Sequence, residues 1–284
     1  MPLVVITGAT RGIGAAAAVE LARRGAEVAI VGREPARVRA TAEAARAAAG
    51  DSGAPVHEHV ADLLRMDEVH RLADELLARH DRIDVLANNA GAMFTHREET
   101  ADGFERTFAL NHLAGFVLTQ RLRERLAGGR VIATASDAHT SGVLDLDDLQ
   151  FSARPFRPIR VYGTSKLMNI LFTRELARRA PDLTAACFHP GAIRSGFGKN
   201  DGILYKVALT AASPFLRSPA KGARSLVWLA LDADPAAVDG AYVVDQEVRD
   251  PSAAARDDVL AEGLWERTSE LVDALDRQRD ARGQ

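Results

Sequence analysis

Three observations predict an α/β chain built on a doubly wound parallel sheet with helices on both faces. Short apolar runs alternate with longer segments of helical rhythm from Leu3 to Val244. The first run passes directly into a glycine-rich turn and an alanine-rich helix. No linker, repeat or shift of composition breaks the 284 residues, so a single domain over 1–284 is expected, with 3–244 as its core.

Apolar residues make up 47% of the chain and charged residues 26%, which allows a sizeable core without staples. A net charge of -3 gives no electrostatic case for nucleic acid or an acidic membrane. The single cysteine, Cys187, excludes a disulfide framework and a cysteine-rich metal site. The sequence opens in a strand-like run without a basic leader, and no apolar stretch approaches the roughly 20 residues of a membrane span. No membrane anchor and a cytoplasmic location are therefore expected.

Residues 3–7 form the first strand, followed by Gly8, Thr10, Arg11, Gly12, Ile13 and Gly14 and a helix that stops at Gly25. Such a turn aims backbone amides and the positive end of the helix dipole at a pyrophosphate. Its spacing, Gly-x-x-x-Gly-x-Gly, departs from the common dinucleotide fingerprint. The second strand, 27–31, ends at Gly32, where an acidic residue would grip a ribose 2′-hydroxyl. Arg33 there, with Arg11 in the first turn, suits a 2′-phosphate; the other reading leaves both arginines simply solvated. NADP(H) is the expected cofactor, with NAD(H) still open.

A helix over 35–49, a loop at 50–53 and a third strand at 56–60 lead to Asp62 and Leu63. His57 and His59 alternate on that strand, but no third ligand stands at a metal-binding spacing, so no metal is expected. An amphipathic helix (66–80) and a fourth strand (83–87) precede Asn88, Asn89, Ala90 and Gly91. Small polar residues at a strand's carboxyl end are where open α/β sheets hold ligands. The spacing then predicts one long helix over 101–126 with Asn111 inside it. Asparagine is a poor helix-interior residue, so Asn111 is either exposed or in a buried polar role. A fifth strand (130–135) ends at Ser136. Residues 140–158 read as irregular, with Asp145, Asp147 and Asp148 in a solvated turn.

Tyr162 and Lys166 stand four apart on the next helix and so share a face. An ammonium beside a phenol favours the phenolate, which brings proton exchange toward neutral pH. A sixth strand (183–188) leads to Pro190 and Gly191. Residues 192–219 mix Gly, Ser and Pro with short apolar pieces, and are expected to form a lid over a substrate. A helix at 220–231 and a strand at 241–244 follow. The tail, 251–279, is expected to dock on the core through Val259, Leu260, Leu264, Trp265, Leu271, Val272 and Leu275.

Taken in order, the glycine turn, Asp62-Leu63, Asn88-Asn89-Ala90-Gly91, Asn111, Ser136, Tyr162-x-x-x-Lys166 and Pro190-Gly191 resemble the short-chain dehydrogenase/reductase family, classical type. The glycine spacing is that family's own. A finer similarity is to its retinol dehydrogenase-like branch. Ser136 and Tyr162 are 26 positions apart, well beyond the spacing of most members, and the segment between them reads Asp145-Leu146-Asp147-Asp148-Leu149. Asn111-His112-Leu113 and Leu264-Trp265-Glu266 are similar as well. Membrane-bound members of the branch carry an apolar N-terminal anchor and this sequence begins at the first strand, so a retinoid substrate is not carried over.

The resemblance implies a Rossmann-like fold and a NAD(P)-dependent oxidoreductase. Hydride would pass between the nicotinamide and the carbon of a carbonyl or alcohol, here a hydrophobic ketone, aldehyde or alcohol. Tyr162 would give or take the proton, and Lys166 would hold the nicotinamide ribose. Ser136 would bond the substrate oxygen, and Asn111 would hold a relay water. Asp62, Leu63, Asn89, Ala90 and Gly91 would line the cofactor, with Pro190, Gly191 and Ile193 beside the nicotinamide. Two other classes stand beside it. A non-catalytic sensor would keep the glycine turn but would not need Asn111, Ser136, Tyr162 and Lys166 together. An epimerase or dehydratase with retained nucleotide is opposed by the glycine spacing. The expected partner is a small molecule; a homo-oligomer stays open.

Overall fold

The structure is a computed structural model that describes residues 1–191 and 217–282. Eight strands form one sheet: β1 (Leu3–Ile6), β2 (Glu27–Gly32), β3 (Val56–Val60), β4 (Val85–Asn88), β5 (Arg130–Thr134), β6 (Thr184–His189), β7 (Ala241–Val244) and β8 (Glu247–Arg249). Their spatial order is β3-β2-β1-β4-β5-β6-β7-β8. The first seven run parallel, because each is reached by a crossover rather than a tight hairpin.

Alternation along β1 shows why both faces must be covered. Leu3 and Val5 enter one apolar cluster, and Val4 and Ile6 enter the other. The second cluster is closed by α1 (Gly12–Arg23), α2 (Pro35–Ala49) and, later in the chain, Pro219–Leu231. The first is closed by α3 (Met66–Arg79), by Arg106–Phe108 (α4) and Ala114–Arg121 (α5), and by α6 (Pro158–Arg179). The helix Pro219–Leu231 is α7, Pro235–Val238 is α8, and Asp258–Arg282 is α9. Strand order reverses between β1 and β4, so the turns after these strands part and leave a crevice at their carboxyl ends.

Several expectations change. The long helix over 101–126 is broken: helical structure begins at Arg106, passes through a π turn at Ala109–Leu113, and resumes at Ala114. Asn111 lies within that π turn and is buried, so its presence reflects a polar role rather than an exposed position. β8 adds an antiparallel edge through a hairpin whose corner residues, Asp245 and Gln246, both have positive φ (52° and 66°). Asp148 is not a solvated turn residue. Its side chain is only 8% exposed, bonds Arg154 at 3.0 Å, and accepts from the Ser152 amide at 2.6 Å.

Of the tail, Leu264 and Leu275 lie in the core and Trp265 stacks on Phe172 at 5.8 Å, whereas Val259 faces outward at 79% exposure. Of the expected lid, residues 192–216 lie outside the described residues, Ile193 among them. The last residues of that range instead start α7, with Ser218 capping it through the Lys221 amide.

Candidate active site

The glycine turn sits at the crevice. Gly8 has φ +65°, and a Cβ there would lie 2.8 Å from Ala90 Cα, so the turn presses on the segment after β4. Thr7 ties the two together, its hydroxyl accepting from the Asn89 and Ala90 amides at 3.0 and 3.1 Å. Asn89 donates its side-chain amide to the Thr7 carbonyl at 2.8 Å. Asn89 thus shapes the floor of the crevice. α1 opens with no side-chain cap and no acidic residue in its first turn, whereas α3 opens with Asp67 and Glu68. Amides left uncapped beside a glycine cradle fit an anionic dinucleotide.

At the end of β2, Gly32 is buried against Thr10 and Val38, and Arg33 is exposed. The Arg11 guanidinium is 3.8 Å from Glu34, and Arg37 is 3.0 Å from the same carboxylate. Arg37, in the first turn of α2, carries no motif that marks it in the sequence. Asp62 accepts from the Leu64 amide at 3.1 Å, and Leu63 is buried.

On α6, Lys166 is 2% exposed and its ammonium donates to the Thr134 carbonyl at 2.8 Å. Its Nζ lies 5.5 Å from the centre of the Tyr162 ring. Burial pushes this amine down to about 8, well below the ordinary lysine range. Gly91 stands between the two candidate groups: a Cβ on it would sit 3.2 Å from Asn111 Oδ1 and 3.3 Å from Lys166 Nζ. Asn111 spends its amide on Ala92, accepting at 2.8 Å and donating at 3.0 Å, and on Ser165 Oγ at 2.9 Å. Ser165 Oγ in turn donates a hydrogen bond to the Tyr162 backbone carbonyl at 2.7 Å. Asn111, Ser165 and Tyr162 are therefore one connected brace, with Ser165 an unforeseen member.

Ser136 follows β5 and caps the short turn Asp137–Ser141 by accepting from the Ala138 amide at 3.2 Å. That turn lies on α6 where Gly163 has no side chain; a Cβ there would be 2.4 Å from the Ala138 carbonyl. So the residue after Tyr162 is what admits the Ser136 segment.

Three further side chains fix that segment. His139 donates from Nδ1 to the Ser136 carbonyl at 2.7 Å and accepts the Ser252 amide at Nε2, 3.0 Å. His189 accepts the Asp137 amide at Nδ1 and faces the Asp137 carboxylate at 3.1 Å with Nε2. Tyr242 donates to the same carboxylate at 2.7 Å. No local motif announces these partners, because they come from β6, β7 and the tail. Pro190 and Gly191 follow directly after His189 at the carboxyl end of β6.

Comparison with known proteins agrees with this geometry. A sequence profile of the short chain dehydrogenase family matches residues 2–202. The chain is 46% identical over 272 residues to the "Putative daunorubicin C-13 ketoreductase DnrU" of Streptomyces sp. (strain C5), covering 95% of this chain and 92% of that one. It is 38% identical over 275 residues to retinol dehydrogenase 12 of Mus musculus, covering 95% and 86%. A crystal structure of an uncharacterized protein from Mycobacterium Paratuberculosis superposes with a TM-score of 0.78 at 32% identity, over 96% and 94% of the two chains.

The chain belongs to the short-chain dehydrogenase/reductase family, within its retinol dehydrogenase-like branch. It is a NAD(P)-dependent oxidoreductase acting on CH–OH groups. Among the described residues no helix is long and apolar enough to cross a membrane.

Proposed function

We propose that the enzyme interconverts a hydrophobic ketone or aldehyde and its alcohol with NADP(H) as the preferred cofactor. The observation that carries the reading is the buried Lys166 ammonium beneath the Tyr162 ring, converging with Asn111 on Gly91. A sensor that only bound a cofactor could use Lys166 on the ribose but would not need Asn111, Ser136, Tyr162 and Lys166 together.

The bound nicotinamide supplies or takes up the hydride. In this reading the turn at 8–14 holds the pyrophosphate, Asp62 and Leu63 border the adenine side, and Ala90, Gly91, Pro190 and Gly191 border the nicotinamide side. Lys166 holds the ribose hydroxyls and favours the Tyr162 phenolate. Tyr162 gives its proton to the carbonyl oxygen during reduction and takes it back during oxidation. Ser136 donates a hydrogen bond to that oxygen, and Asn111 holds a water of the proton relay. The whole chain acts as one cytoplasmic domain.

Preference for NADP(H) is supported by the end of β2. Gly32 offers nothing to a 2′-hydroxyl, while Arg11, Arg33 and Arg37 stand nearby with Glu34. The exposed Arg11–Glu34 contact at 3.8 Å is worth about 0–1 kcal/mol. A charge-assisted bond to a phosphate is worth about 1.5–3 kcal/mol, so a 2′-phosphate outcompetes Glu34 for the guanidinium. The names of the relatives, a ketoreductase and a retinol dehydrogenase, support a bulky apolar substrate.

The test is cofactor absorbance against a panel of ketones, aldehydes and alcohols, with kcat/KM for NADPH and NADH. Absence of turnover with every compound, or a preference for NADH, would defeat the corresponding half of the reading.

A further inference from the structure

The other end of the sheet carries a cluster that the oxidoreductase chemistry does not use. Glu27 opens β2, His57 lies on the edge strand β3, and His80 is the residue that ends α3. One ligand atom from each falls within 4.8 Å of the other two. His57 Nε2 is 2.7 Å from Glu27 Oε1. The His57 and His80 rings meet edge to face at 5.0 Å and 79°.

His80 is 9% exposed, and its Nε2 is buried without a hydrogen-bond partner. A buried imidazole nitrogen left unbonded is costly, and native structures keep few of them without a reason. His59 lies behind it, fully buried, its ring centre 6.5 Å from that of His80. It faces Glu75 at 3.3 Å.

We propose that Glu27, His57 and His80 bind one divalent transition cation of the zinc class. Two imidazole nitrogens and one carboxylate oxygen are a borderline donor set that suits zinc, cobalt or nickel and disfavours magnesium. Neutral imidazoles with one carboxylate leave the site a single negative charge, which a divalent cation reverses. Ligand atoms of a tetrahedral zinc site lie about 3.3 Å apart, closer than the 4.8 Å within which the three fall, so binding draws them inward, and water completes the shell.

The ligands come from three elements, and the ion pins the sheet-edge strand β3 to β2 and to the end of α3. The cluster lies at the amino ends of the strands, opposite Tyr162, so the ion is structural and turnover does not depend on it.

The experiment uses the tag-free chain, stripped with a chelator, freed of it and saturated with NADP(H). Zinc chloride is titrated by calorimetry, and the thermal midpoint is followed in parallel. One equivalent should bind and raise the midpoint, cobalt should show the intense visible bands of a tetrahedral site, and magnesium should do neither. Loss of partners of metal ligands already weakens affinity by about 10–100-fold, so His57→Ala and His80→Ala should each weaken zinc binding by at least about tenfold. Carbonyl turnover by these variants reports that they are folded, and Glu27→Gln, nearly isosteric, repeats the test if either alanine variant fails to fold. His96→Ala, on an exposed loop, should bind zinc as the unaltered chain does. Absence of stoichiometric binding, or binding that survives loss of these ligands, overturns the site.

Discussion

At the carboxyl end of the sheet, both ring nitrogens of His139 and of His189 have partners, and those partners hold the backbone around Ser136. At the amino end, His59 and His80 present buried nitrogens without hydrogen bonds. The same residue type thus does two different jobs in one fold. Histidines with both nitrogens engaged act as struts, whereas His80, with one buried nitrogen unengaged, is the proposed ligand. The difference separates the end where geometry must be held for chemistry from the end where an edge strand needs an anchor.

Substitution of Tyr162, the proposed proton carrier, should draw that line most sharply. Tyr162→Phe keeps the ring and removes the exchangeable proton, so turnover should fall about 10²–10⁴-fold, with cofactor affinity little changed. His57→Ala at the other end should leave turnover near that of the unaltered enzyme. Equal losses in stopped-flow assays of the two variants would erase the distinction between the ends.

The next effect is on stability. The folded pKa of Lys166 lies near 8 and the ordinary value is 10.5. Below pH 8 both folded and unfolded chains carry the charge, and its burial weighs fully against folding. Between those values the folded chain has released a proton that the unfolded chain still binds, so stability should rise with pH across that window. The gain is on the order of 3 kcal/mol for the cofactor-free enzyme, and Lys166→Met should remove this contribution. Lys166→Met should also impair both turnover and cofactor binding. The difference between the parent chain and Lys166→Met in denaturant unfolding at pH 7.5 and pH 10 isolates this contribution, because the buried Cys187 thiol, pushed up to about 12, opposes it above pH 9 in both; no difference would mean that the ammonium is better solvated than its burial implies.

A smaller change belongs to cofactor choice. Arg33→Ala should lower the NADPH-to-NADH ratio of kcat/KM by roughly tenfold, the equivalent of one partly exposed charge-assisted bond. Added salt should shrink the margin in the parent enzyme. Gly32 is a poor place for this test, since a Cβ there would lie 2.2 Å from Thr10 Cγ2. An unchanged ratio in Arg33→Ala would move the phosphate to Arg11 and Arg37.

The smallest expected effect probes a strut. His139→Ala removes a neutral hydrogen bond to the Ser136 carbonyl, worth about 0.5–1.5 kcal/mol, so kcat should drop about two- to tenfold with cofactor KM unaltered. His139→Gln, able to donate from its amide, should recover part of it. A shift in cofactor KM instead of kcat would show that His139 supports the crevice and not Ser136.

Features encoded within a few residues were legible in the sequence. The alternating strands, the glycine turn and the Tyr162–Lys166 pair depend on local spacing, and the structure places them as the pattern implies. The helix over 101–126 misled because the period of its apolar residues carries no mark of a π turn. That turn is held by Ala92 and Ser165, which lie far from Asn111 in the chain. The β7–β8 hairpin was hidden because its corner uses Asp245 and Gln246 rather than glycine. Glu27, His57 and His80 show no motif spacing, since strand pairing and a helix end bring them together. The burial of Asp148 is not legible in the sequence because its partner Arg154 lies six positions on, across a turn that no periodicity describes.

The Ser252 amide on His139, together with Leu146 lodged against Gly263 and Thr268 bonded to His112, has a consequence for how the enzyme is born. Synthesis runs from the amino terminus, and the cofactor turn with its strands can assemble as soon as β4 has emerged. The segment that carries Ser136 is made early and meets His189 and Tyr242 first, but its His139 strut stays half-filled until Ser252 has left the ribosome. A stalled nascent chain ending just before Pro251 should therefore capture cofactor on an affinity resin and yet turn over carbonyl compounds more slowly than the full chain. Capability to bind comes first in the life of this molecule, and full reactivity is withheld until translation is nearly done.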